Sequence, residues 1–96
     1  MEVTYHPLVK RDIVEVLRYY HGVSPSLAAE FEAELRTMIS RAAEAPLSFH
    51  LVNRNFRRIN LRRFPYHVLY DLQPDNVRVM IVRHNKRHPD HGMNRG

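Results

Sequence analysis

Cysteine is absent from this 96-residue chain. Its absence excludes disulfides, thiolate metal sites and a cysteine nucleophile, so stability has to come from packing. Stabilisation by packing without cysteine fits a cytoplasmic setting; no uninterrupted apolar run reaches membrane length, and no signal-peptide pattern opens the chain. Repeats, linkers and low-complexity tracts are also missing. What remains is one domain over residues 1–96 with a single modest core. Acidic residues are scarce in one part only. Residues 54–96 hold ten of the fifteen Lys and Arg against three acidic residues, a formal charge of +7. Residues 1–53 hold the other five basic residues and seven acidic ones, a charge of −2.

The periodicities order the chain. Val3-Thr4-Tyr5 alternates as a short strand ended by His6-Pro7, and proline suits the first turn of the helix that follows. Ile13, Val16, Leu17 and Tyr20 recur at helical spacing up to Gly22. Ser24-Pro25 restarts a helix, striped by Leu27, Phe31, Leu35, Met38 and Ala42 and ended near Ala45-Pro46. Neither apolar stripe is assigned an ionisable residue, so the helices are given no chemistry. Residues 46–55 read as a loop. Three strands then follow, over 57–63, 66–72 and 77–84, with Gln73-Pro74-Asp75-Asn76 as a turn. Strict alternation puts Val77, Val79, Ile81 and Arg83 on one face of the last strand. It puts Arg78, Met80, Val82 and His84 on the other. The polar tail from Asn85 is expected to fray. The predicted fold is α+β: an N-terminal strand and an antiparallel two-helix hairpin on a small antiparallel sheet of three to four strands.

A cationic sheet suits an anionic ligand, either a nucleic acid or an acidic protein segment. His84, His88 and His91 invite a zinc reading by spacing. The lack of cysteine and of a helix or turn to converge the imidazoles argues against it, so no metal and no cofactor are expected. Tyr66 and Tyr70 offer stacking surfaces but share a face with Val68 and Leu72, which favours the core.

Two stretches carry a resemblance. Arg62-Arg63-Phe64-Pro65-Tyr66-His67-Val68-Leu69-Tyr70, and the His84-x-x-Arg87-x-Pro89 that closes the last strand, resemble the RelE/ParE toxin family of type II toxin–antitoxin systems. The resemblance implies an acidic antitoxin as partner, no membrane, and one of two targets. These are DNA gyrase for ParE-like members, and ribosome-bound mRNA cut without a metal for RelE-like ones. On the family's nuclease pattern this chain offers Arg58, His67 and Arg87, has Asn60 where a second basic residue is usual, and reaches Met93 where an aromatic would stand. The ending leans to the ParE-like side. If the chain is a nuclease, Arg58 and Arg87 would stabilise the phosphate, and His67 or His84 would move protons. Arg57, Arg58, Arg62, Arg63, Arg83, Lys86 and Arg87 form the expected surface for nucleic acid or antitoxin. A homodimer is left open, because no unexplained apolar patch demands one.

Overall fold

Pro7 ends the first strand, and His6 opens the first helix. The His6 carbonyl accepts the Val9 N–H at 3.0 Å, and its Nδ1 accepts the Leu8 N–H at 3.1 Å, so two helix-start donors are satisfied. The computed structural model describes residues 1–96. They form β1 (Glu2–Tyr5), α1 (Val9–Val23), α2 (Pro25–Glu44), a 3-10 turn (Pro46–Ser48), β2 (His50–Leu51), β3 (Phe56–Asn60), β4 (Tyr66–Leu72) and β5 (Asn76–His84). Ser24 alone joins the two helices. Its N–H closes α1 on the Tyr20 carbonyl, while its carbonyl accepts Leu27 and Ala28 to open α2.

The α+β class and the helical hairpin stand as expected, but the sheet is larger and mixed. Five strands run in the order β1-β5-β4-β3-β2. β2 forms within the stretch read as loop and pairs antiparallel with β3. β1 pairs in parallel with β5. A parallel neighbour needs a long connection, and the helices plus three strands supply it.

Val9, Val16 and Tyr20 of α1 pack with Ala28, Phe31, Leu35, Met38, Ile39 and Ala42 of α2 onto one face of the sheet. That face presents Ile59, Leu61, Val68, Tyr70, Val77, Val79 and Val82. Tyr20, Phe31, Phe64 and Tyr66 close one end, with ring centroids 5.2 to 6.0 Å apart. Tyr66 and Tyr70 therefore belong to the core, and the Tyr70 hydroxyl donates to the Pro46 carbonyl.

Strict alternation fails in β5. Leu69 pairs with Ile81 but Tyr70 pairs with Val79, so Met80 is the extra residue of a bulge. The bulge reverses the facing of everything after it. Val77, Val79 and Val82 all join the helix-side core, while Met80 and Ile81 turn outward with Phe56 and Leu69. The outer face thus carries its own small apolar cluster.

The tail covers that cluster instead of fraying. Met93 packs on it. Gly92 sits at φ +77°, where an added Cβ would stand 3.0 Å from Ile81 Cδ1, so both its backbone and its contact call for glycine. Arg83 Nη1 donates to the Pro89 and His91 carbonyls at 3.0 and 2.7 Å. Arg95 reaches deepest. It forms a bidentate pair with Asp12 at 2.7 and 2.9 Å and donates to the Met80 carbonyl at 2.9 Å.

Asp12 corrects the reading of α1 as free of buried charge. It is 7% exposed and accepts the Val82 N–H at 3.1 Å. The cause is a short neighbour: β1 pairs β5 only from Asn76 to Val79. Beyond that point the edge of β5 would be bare, and Asp12 and Arg95 take up its Val82 donor and Met80 acceptor.

Candidate functional site

The basic residues do not form one continuous platform. Arg57 lies half-buried and donates to the Phe49 carbonyl at 2.8 Å, tying the 3-10 segment to β3. Arg62 and Arg63 sit in the β3–β4 turn against α2. Their backbone N–H groups are bound by the Glu34 carboxylate, and Arg63 Nη2 pairs with Glu30 Oε1 at 2.9 Å. Acidic side chains offset the charge at this end. The residues expected to form one cationic surface lie in four settings: Arg57 at Phe49, Arg62 and Arg63 against α2, Arg58 and Arg83 on the outer face, and Lys86 and Arg87 in the turn after β5.

On the outer face Arg58, His67 and Arg83 come together. Arg58 Nε donates to Asn60 Oδ1 at 2.8 Å. His67 is 2% exposed, with Arg83 Nε 2.9 Å from its Nε2 and Asn85 Oδ1 2.9 Å from its Nδ1. The arginine Nε–H can only donate, so His67 Nε2 accepts and the proton rides on Nδ1. Burial pushes the His67 pKa below its ordinary value against the raising effect of Asn85, and Arg58, Arg83 and His84 add to the lowering. The ring is neutral and both nitrogens are engaged. It braces Arg83.

His84 points the other way, edge-on to Tyr66 with centroids 4.9 Å apart. Its Nδ1 accepts the Lys86 N–H at 3.0 Å. His67 and His84 thus lie on opposite faces, although both were candidates for one proton-transfer role. Lys86 and Arg87 are exposed in the turn after β5. Arg83, His84 and Arg87 line a cleft of about 220 Å³ beside α1, with His91, Tyr19 and Tyr66. His84, His88 and His91 do not gather as a ligand set, and no group of three potential metal-binding side chains does.

A larger feature lies on the helices. Adjoining hollows of about 490 and 510 Å³ share Val14, Leu17 and Glu32 and make one trough along the outer side of the hairpin. Tyr5, Pro7, Ile13 and Ala28 extend its apolar floor, and Lys10, Arg18 and His21 stand among its walls. Tyr5 is 51% and Val14 40% exposed, so this is uncovered apolar surface. Sequence reasoning missed the trough because it assigned each helix a single buried stripe. No helix is long and apolar enough to cross a membrane.

A two-helix layer over a mixed five-stranded sheet is an arrangement found elsewhere. A solved chain described as "Chromosomal ParDE TA system from P. aeruginosa" superposes with a TM-score of 0.77 at 10% identity, over 88% of this chain and 95% of that one. At that identity the likeness concerns the fold. The family model described as "ParE toxin of type II toxin-antitoxin system, parDE" matches residues 3–89. The chain is also 27% identical over 86 residues to Toxin ParE2 of Mycobacterium tuberculosis, in two strains, covering 88% of this chain and 82% of that protein. The chain belongs to the ParE toxin family of type II toxin–antitoxin systems.

Proposed function

We propose that the protein arrests growth in the cytoplasm by binding DNA gyrase, and that an acidic antitoxin segment neutralises it. The observation that carries the choice of a binding inhibitor over an RNA-cutting enzyme is the state of His67. A general base for the 2′-hydroxyl needs a free nitrogen, and both of its nitrogens are committed inside the fold. Arg83 is held in place by His67 and two carbonyls through its Nε and Nη1, and Met93 lies in the outer apolar cluster where a nuclease would use an aromatic ring.

The trough suits the antitoxin better than the sheet does. An amphipathic helix of the partner would lay apolar side chains over Val14 and Leu17 and set carboxylates against Lys10 and Arg18. Brief induction should give gyrase-dependent double-strand breaks in DNA with intact transcripts. Codon-phased mRNA cuts that vanish in Arg87→Ala would overturn the gyrase reading in favour of the nuclease. Val14→Glu, at a position already 40% exposed, should leave the fold intact. It should weaken the antitoxin complex by about tenfold or more, through lost apolar burial and like-charge repulsion. An unchanged affinity by calorimetry would place the antitoxin elsewhere.

A further inference from the structure

A different recess opens where α1 passes the bare end of β5, on the side of α1 away from the trough. Its volume is about 220 Å³, and Arg83, His84, Arg87 and His91 contribute to its lining. Arg83 is the telling residue. It is only 8% exposed, and its Nε and Nη1 are used on His67 and on two arm carbonyls. Its Nη2 has no partner within the chain, yet no side-chain nitrogen or oxygen is left both buried and unpaired. That nitrogen therefore has access to solvent. The recess also holds two carboxylates. Asp12 is already neutralised by Arg95, which leaves Glu15 as the one free acid. With Asp12 paired, Arg83 and Arg87 against Glu15 leave the recess net positive. His91 is pushed below its ordinary pKa by burial and then by Arg87, Arg95 and Arg83, with Asp12 opposing.

The geometry points to this recess as a phosphate-binding site, filled by inorganic phosphate or by the phosphate of a nucleotide. Donors arrive from three segments: Arg83 on β5, Arg87 in the turn and His91 on the arm. A tetrahedral phosphate has oxygens for all three, whereas a carboxylate offers two on one plane. The recess also exceeds what a phosphate alone fills. Tyr19, 64% exposed, supplies a ring on which a base can stack. Glu15 suits a sugar hydroxyl and works against a second phosphate. The site is independent of the gyrase and antitoxin assignments, because it uses neither the trough nor a target protein.

The test is a titration with inorganic phosphate at constant ionic strength, followed by NMR of the histidine rings and arginine Nε–H groups. Saturable shifts confined to Arg83, His84, Arg87 and His91 are expected. Arg87→Ala should weaken binding about ten- to a hundredfold, as loss of a charge-assisted hydrogen bond does, while Arg54→Ala should change nothing. Adenosine 5′-monophosphate separates the two sources. Tighter binding than phosphate that is lost in Tyr19→Ala assigns a nucleotide, and equal binding assigns free phosphate. Three results would overturn the site: no saturation at tens of millimolar, the same shifts with acetate, or full affinity in Arg87→Ala.

Discussion

Arg95→Ala is expected to destabilise the protein by about 3–5 kcal/mol, because it strands a buried carboxylate. Asp12 is anchored in the first turn of α1 at 7% exposure and cannot move out to water without fraying that turn. Asp12→Ala should cost less. Arg95 is carried on a long, flexible side chain and can swing into solvent, leaving only the Val82 N–H and the Met80 carbonyl to be satisfied anew. The order of the two effects is therefore the sharper test. Urea unfolding of both variants and the double mutant measures it, and a larger loss for Asp12→Ala would contradict the anchoring argument. The exposed Arg63–Glu30 pair serves as contrast, since water and salt screen it and its removal should scarcely register.

Acidification should weaken the fold through His67. Its folded pKa lies below the value of 6.5 for the free side chain, chiefly through burial. Unfolded chains therefore take up the proton first. The contribution of His67 is complete above pH 6.5 and is lost as pH falls below that value, until the buried ring itself protonates. The slope for one such group is at most about 1.4 kcal/mol per pH unit. Protonated Nε2 would face the Arg83 Nε–H donor, so the arm carbonyls held by Arg83 would loosen with it. His67→Gln can still accept from Arg83 and donate to Asn85 but cannot titrate. Comparing urea midpoints at pH 7.5 and 5.0, the variant should lose less than the native protein. Equal losses would assign the effect to His6 and His91, whose pKa values are lowered as well.

Much of the architecture was legible, because helices and alternating strands write themselves in local spacing. The α2 stripe of Phe31, Leu35, Met38 and Ala42 is buried as its period implies. Asp12 was legible too and was passed over. It occupies a stripe position, three residues after Val9 and four before Val16, so its burial follows from the same period. β2 escaped because two residues carry no periodicity. Arg95 escaped because nothing near it in sequence refers to Asp12, 83 residues away.

The candidate site was less legible than the fold. His67 and Arg83 were singled out as chemistry, but their neighbours set their roles. Burial and paired hydrogen bonds make His67 a neutral brace, a state that depends on Asn85 and Arg83 meeting it across the end of the sheet. His84 shows the effect of the bulge. By its place in β5 it should share a face with Met80, and the extra residue turns it to the helix side beside Tyr66.

The chain alone determined the order of its elements, the pairing of its helices and the concentration of arginine in its second half, since each is a property of neighbours in sequence. Only the folded molecule decided which arginines are free, which way β5 faces after Met80, and that the tail lies against the sheet. Those outcomes rest on contacts between distant residues, where one inserted residue or one bare strand edge redirects a side chain that local spacing would have placed elsewhere.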